Sequence, residues 1–553
     1  MAGGGEIQFP KAVIQRLQSF LTGKEAARTA VVSKSWHSAW LTHPNLDLDD
    51  SHFKSSHNNQ DDDFKKYAKK TIKRYEESSI KIESFNLCMK IEQYGRADLA
   101  NKLIVKALRI GVTRLCLRLN NNRSFDLPNE VFGADNLVEL SVSGCTIKLD
   151  DRVVIKYRSL ESLSLDGVYG ITMDKVSNMV SSCPCIEKLS ILPDYYDEDE
   201  YCVWDIDAYL GVKKRRRRVN VAAARKAAAT AMAVGVVDNL IPRLRCLMLG
   251  YESFKALCLG DLLHRFPFLK DFTLYIYNKR SSRFDAVFEE GIQISSCSLE
   301  RIKLVLQGFQ GDDEGRKPRV KFDVPSVRKF TFESDVIPCL SFMSTHPSRE
   351  WESHLSIQCN PNGFFAFWFN ELSELLTELS QSKTHLFLNA GRSTSPYFHN
   401  SSFDYKVGDK IIQGLRKHEL ENLTIDMMDL PSLSCYALFD GLFRLCRPKL
   451  ITQHYKDDPD KQRYDYDSDD SDDDMDQTNI EFLCQTLDEG KNFKVSRPTQ
   501  FMYGLNDLEE VNVQAFDMDS VPAEWKPIPF ESLLDKHVQV NQRIRLLLKW
   551  KPS

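Results

Sequence analysis

The 553 residues exceed what one hydrophobic core organises, so the chain holds several domains or one long repeat array. Hydrophobic residues make up 42% and charged residues 27%, an ordinary globular balance, and the formal net charge of −5 comes from clumped charges rather than one acidic or basic surface. No run of about eighteen apolar residues occurs, and no basic stretch followed by an apolar one opens the chain, so neither a membrane-spanning helix nor a secretory signal is expected. Ala2 after Met1 removes N-myristoylation. The expected compartment is intracellular, cytoplasmic and/or nuclear.

In chain order, Phe9-Pro10 opens the first element, since proline is tolerated in a helix's first turn. Val13, Ile14, Leu17, Phe20 and Leu21 then recur at helical spacing as one apolar stripe. Thr22-Gly23-Lys24-Glu25 reads as a capping box for a second short helix, with Ala26, Ala27, Ala30 and Val31 expected inward. A third helix follows Ser33-Lys34 and carries Trp36 and Trp40 one turn apart. About forty residues cannot hide that much apolar surface alone, so a partner or the rest of the chain must cover part of it.

These residues resemble an F-box. The likeness rests on Phe9-Pro10 (where the family most often has Leu-Pro), Val13-Ile14, Leu17, Ser19 to Leu21, Lys24 to Thr29, Val31 to Trp36, Trp40 and Pro44-Asn45-Leu46. The run from Lys24 to Trp36 is similar to plant F-box proteins with leucine-rich repeats. The resemblance implies docking on a Skp-family adaptor and, through it, on the cullin of a cullin–RING ubiquitin ligase. Phe9, Pro10, Val13, Ile14, Leu17, Phe20, Leu21, Val32, Trp36 and Trp40 are the residues expected to form the adaptor-facing and box-core set. Spacing alone does not separate the outward-facing members from the inward ones.

Residues 51–78 read as a polar linker, lysine-rich and helical around Phe64 and Tyr67. A repeat then takes over, apolar-x-x-apolar-x-apolar, which is a short strand whose alternate side chains enter one core. It centres on Phe85, Leu115, Leu140, Leu163 and Leu189, which stand 30, 25, 23 and 26 residues apart. It returns at Leu247, Phe272, Ile302 and Phe330, more weakly at Leu355, Leu386 and Leu450, and clearly at Leu423 and Val511. Leucine-rich repeats run at roughly 20–29 residues per unit, each one strand plus a helix or turn. Leu99, Leu103, Ala107 and Leu108 form one intervening helical stripe, stopped by Gly111, and Met173 to Val180 and Ala256 to Phe266 read similarly. The expected fold is α/β: a three-helix F-box over residues 1–50, then an irregular leucine-rich-repeat solenoid with a parallel β-sheet on its concave face.

Repeats are assigned to 79–192 and 241–454, with a C-terminal repeat or cap at 481–553. Two insertions interrupt the rhythm: residues 193–240, with the basic run Lys213, Lys214, Arg215, Arg216, Arg217 and Arg218, and 455–480, an acidic stretch expected to be a solvated, disordered loop. The basic run is a candidate nuclear-localisation signal, balanced by the alternative that it merely offsets nearby acidic residues. Ser468 and Ser471 are candidate phosphosites in aspartate-rich flanks. Near the C-terminus, Asp440 to Leu450 and Arg543 to Trp550 are similar to late segments of plant F-box repeat proteins.

Nothing in the chain composes a catalytic site: no HExxH, nucleophile elbow, phosphate loop or dinucleotide fingerprint occurs. The fourteen cysteines contain no CxxC pair; Cys183 and Cys185 come closest without a matching cluster. No metal or cofactor is implied, and nucleic-acid binding is not favoured, because aromatics are not interleaved with the basic run. The expected function is that of a non-catalytic substrate-recognition adaptor whose repeats hold an unidentified target protein. The alternative is a leucine-rich-repeat scaffold or receptor module without a ligase role.

Overall fold

The computed structural model describes residues 9–21, 23–53, 60–91, 95–120, 125–148, 155–169, 179–180, 182–192, 243–251, 263, 266–277, 291–308, 317–344, 350–358, 365–389, 416–426, 432–453, 505, 507–517, 524–529 and 544–551. The chain divides into two compact units, residues 1–252 with 265–269, and residues 253–264 with 270–553.

The first unit opens with three short helices, α1 (Lys11–Gln18), α2 (Gly23–Thr29) and α3 (Lys34–Leu41), and then β1 (Asn45–Asp49). A longer helix, α4 (Gln60–Glu77), precedes β2 (Ser84–Lys90), α5 (Arg96–Ile110) and β3 (Arg114–Asn120). Strands β4 (Glu139–Ser143), β5 (Ser162–Asp166), β6 (Lys188–Leu192) and β7 (Cys246–Tyr251) follow. The seven strands pair in chain order and all in parallel. The repeat rhythm is the register itself: Leu46, Phe85, Leu115, Leu140, Leu163, Leu189 and Leu247 stand side by side, all buried. Helix α5 ends as its sequence implies, with Gly111 at φ 95° returning its N–H to the carbonyls of Ala107 and Leu108. The residues read as polar linker contain α4, whose Phe64, Ala68, Ile72 and Tyr75 are buried. Residues 1–50 hold β1 as well as the helices, and β1 is already part of the repeat sheet.

The second unit holds β8 (Asp271–Tyr277), β9 (Ile292–Ser295), β10 (Arg301–Gln307), β11 (Arg319–Asp323), β12 (Lys329–Ser334), β13 (Cys339–Ser344), β14 (Trp351–Gln358) and β15 (Ser382–Asn389), with α6 (Phe365–Glu378) between the last two. Then come β16 (His418–Leu420), β17 (Asn422–Asp426), α7 (Ser432–Leu445), β18 (Cys446–Pro448), β19 (Leu450–Gln453), β20 (Leu508–Asp517), β21 (Glu524–Ile528) and β22 (Ile544–Trp550). The main sheet runs β8–β10–β12–β14–β15–β17–β19 in parallel. Between its middle strands the connecting segments are themselves strands, paired in parallel as β9–β11–β13. Phe322 of β11 packs edge-on against Phe330 of β12, 5.3 Å between ring centroids, and so ties the two sheets.

Three expectations are corrected here. Phe272, Ile302 and Phe330 align, but Phe330 faces Ser353, and Leu355 lies beside Phe332. The repeat centre in β14 is therefore a buried serine, whose hydroxyl meets Ser382 Oγ at 2.7 Å and Thr384 Oγ1 at 3.0 Å. The copy centred on Leu450 shifts by one: Ile451 pairs with Leu423 and is buried, because a one-residue slip would turn every side chain of β19 to the wrong face. The copy at Val511 is not a further parallel repeat. It lies in β20, antiparallel to β22, which is antiparallel to β19, and β21 closes that edge, also antiparallel.

Candidate protein-docking site

The three N-terminal helices have a small interior. Ile14, Ala26 and Ala39 are their buried apolar residues, and between them lies Gln18, fully buried. Its Nε2 donates to Thr29 Oγ1 at 2.9 Å and to the Trp36 carbonyl at 3.2 Å, so one side chain on α1 holds both other helices. The backbone carbonyl of Gln18 lies 2.6 Å from Nε2 of His43, whose own backbone carbonyl accepts from the Tyr75 hydroxyl on α4 at 2.8 Å. Burial raises the Tyr75 pKa, and the Arg74 cation beside it opposes that shift. Ser33 starts α3 by accepting from the Trp36 amide at 3.3 Å.

With the interior filled by small and polar groups, the large apolar side chains point out. Phe20 is 71% exposed, Val31 87% and Val32 67%, and Phe9, Val13 and Leu17 are also exposed. Val13 and Leu17 on α1 and Phe20 in the turn just past its C-cap, four and three residues apart, make one outward stripe, with the Arg16 guanidinium 4.8 Å above the Phe20 ring. Pro10 is exposed and stands just before α1 as its N-cap. The apolar stripe read from sequence is thus two stripes: Ile14 faces in with Gln18, whereas Val13, Leu17 and Phe20 face out. Leu21, Trp36 and Trp40 are half-buried. Val31, expected inward, is the most exposed of the group; α2 ends at Thr29, so Val31 lies in the turn rather than on the packed face. Thr22, and with it the capping box, lies outside the described residues.

Trp40 turns toward its own chain. The Arg74 guanidinium stands 5.7 Å from its ring, and His37 lies 5.8 Å away. It borders a cavity of about 740 Å³ whose lining includes His43, Tyr67 and Arg74 and, from the sheet, Asp47, Asn86 and Cys116. Gln18, Arg74 and Tyr75 are the positions sequence reasoning missed. For Gln18 the signal is present, a polar residue four after Ile14 on the buried stripe.

Burial pushes the half-buried Cys88 thiol up to about 11 and the buried Cys145 and Cys183 thiols up to about 12. Among the described residues no helix is long and apolar enough to cross a membrane. Lys213–Arg218, Ser468 and Ser471 lie outside the described residues.

Helices that present apolar surface ahead of a sheet built one parallel strand per repeat define the architecture of a leucine-rich-repeat protein with an N-terminal helical module. No model of a known protein family matches the chain. Curated relatives do: an F-box/LRR-repeat protein of Arabidopsis thaliana is 30% identical over 197 residues, 33% of this chain and 35% of that one. A second F-box/LRR-repeat protein from the same plant is 29% identical over 35% of this chain and 40% of its own. An FBD-associated F-box protein, also from Arabidopsis thaliana, is 27% identical over 34% of this chain and 44% of its own. The matched region thus spans less than half the length of these relatives. Over about a third of its length the chain is similar to plant F-box/leucine-rich-repeat proteins.

Proposed function

We propose that the chain is the non-catalytic substrate-recognition subunit of a cullin–RING ubiquitin ligase of the SCF type. The helices over residues 9–43 dock on a Skp-family adaptor, and the repeats hold a target protein within reach of the ubiquitin-charged enzyme. What such a subunit contributes is effective concentration and orientation, not bond chemistry. The observation that carries this reading is the outward set Phe9, Val13, Leu17, Phe20, Val31 and Val32, six of the nine exposed large apolar residues among those described. Exposed apolar surface so concentrated marks a protein-binding face.

The test is co-purification of a Skp-family adaptor with the full-length chain and with its Leu17→Asp/Phe20→Asp variant. Both side chains are exposed, so the variant should melt like the parent. Removing anchors of an interface costs a few kcal/mol, about a hundredfold or more in affinity, so the adaptor should be lost. Adaptor retained by the variant at parental levels overturns the docking assignment.

A further inference from the structure

In the second unit, β14 and β15 meet through groups unlike those of neighbouring strand pairs. On the solvent-facing side His354 pairs in register with His385, and the two imidazoles stack with centroids 4.6 Å apart and planes within 7°. Directly beneath, on the inward face, Ser353, Ser382 and Thr384 join hydroxyls at 2.7 to 3.1 Å where the repeat would otherwise place leucines. For two residues along these strands, adhesion therefore comes from a ring stack and a hydroxyl cluster instead of apolar burial. Leu355 with Leu386 and Ile357 with Leu388 restore the apolar contact further along.

The surroundings of the stack are mixed in charge. On β12, Thr331 lies beside His354, with Lys329 and Glu333 two positions to either side, and Glu333 is paired to Lys303 of β10 at 2.9 Å. On β14 itself, Glu352 Oε2 comes within 3.5 Å of His354 Nε2, an atom that is buried and makes no hydrogen bond. On β15, Lys383 is engaged by Glu350 at 2.7 Å, and on β17 Asn422 lies beside His385. Burial first, then the neighbouring His385 and Lys329, hold the His354 pKa below the ordinary histidine value, against the pull of Glu352. At neutral pH the stack is uncharged on its His354 side. Two imidazolium rings in this geometry would repel at close range, with one carboxylate in reach of one of them.

We propose that the His354–His385 stack is a proton-sensitive joint between β14 and β15, closed while the rings are neutral and loosened once they are charged. The sign follows from linkage. A histidine whose folded-state affinity for protons is depressed binds more protons when the strands part, so acid favours parting. The joint stands whether or not the N-terminal helices dock an adaptor.

The experiment is backbone hydrogen exchange on the full-length chain, corrected for the intrinsic pH dependence of exchange. Peptides covering 351–358 and 382–389 are followed at about pH 7.5 and about pH 5.5. The expected result is a loss of protection of about tenfold on acidification in these peptides, the size of one unit of proton coupling, with 84–90 and 114–120 unchanged. His385→Phe keeps a flat ring and removes one of the two charges, so its acid-induced loss of protection should be smaller than the parent's, with the remainder coming from the burial of His354. Should that variant lose protection already at neutral pH, His385→Gln makes the same comparison, read by the NMR titration of the His354 ring, whose midpoint should rise. Equal protection of the parent chain at both pH values, an acid-induced loss in His385→Phe as large as the parent's, or an unmoved His354 midpoint in His385→Gln overturns the proposal.

Discussion

The N-terminal helices and the repeat sheet use apolar residues in opposite ways. Along the parallel repeat strands, leucine, isoleucine or phenylalanine turns inward, and Phe85, Leu140, Phe330 and Leu423 are each 0% exposed. In the helices, Ile14 and two alanines fill the interior, a glutamine completes it, and the phenylalanines, valines and Leu17 are left outside. Hydrophobic composition alone therefore says little about where stability resides. The sheet is stable through what it hides, whereas the helices keep their large side chains available and hold their shape by directed hydrogen bonds.

That contrast can be broken at graded cost. The largest effect is expected at Phe85→Ala, which opens a cavity under β2 between Leu46 and Leu115 and should destabilise the first unit by about 3–5 kcal/mol in denaturant titration. Phe20→Ala, also a phenylalanine truncation, should stay within about 0.5 kcal/mol of the parent, since its ring already meets water. Similar losses in the two variants would erase the distinction between the regions. An intermediate effect is expected for Gln18→Ala, which removes the tie to Thr29 and Trp36 at about 1–3 kcal/mol. Limited proteolysis should then cut within 9–43 while the strands keep their protection.

The smallest effect concerns a polar fastening in the second unit. Asp507 accepts from Lys417 and, at 2.8 Å, from Arg447, and these two cations hold its pKa below the usual carboxylate range. Because the folded-state value is depressed, this stabilisation is present above the ordinary aspartate range and fades as pH falls through the depressed value. Asp507→Asn should lower stability at neutral pH by less than about 1 kcal/mol, the group being partly exposed, and the difference should vanish in acid. A gap between variant and parent that persists unchanged into acid would assign the effect to packing instead.

Much of the sheet was legible because a parallel repeat writes its register as spacing: the centres 23 to 30 residues apart in 85–189 became lateral neighbours. Legibility failed where polar groups took inward positions. Ser353 broke the apolar template although its strand is in place, and Leu450 outranked Ile451 by residue type when pairing with β17 favours Ile451. The antiparallel closure by β20, β21 and β22 was hidden for another reason, since alternation reports which face is buried but not strand direction. In the docking helices, adjacent Val13 and Ile14 lie about 100° apart on α1, so a window that counts both as one stripe merges two faces. Gln18 separates them.

Three residues, Thr42, His43 and Pro44, connect α3 to β1, and they are clasped: the Pro44 carbonyl accepts from the Glu83 amide at 2.8 Å, while Asp50 beyond β1 receives the Lys90 amide and the Arg96 guanidinium. Such a joint has no slack. A molecule seated on the outer stripe of α1 would keep a constant bearing to the opening strands, as a bracket bolted to a rail does, and its placement would be set by covalent geometry rather than by the wandering of a tether.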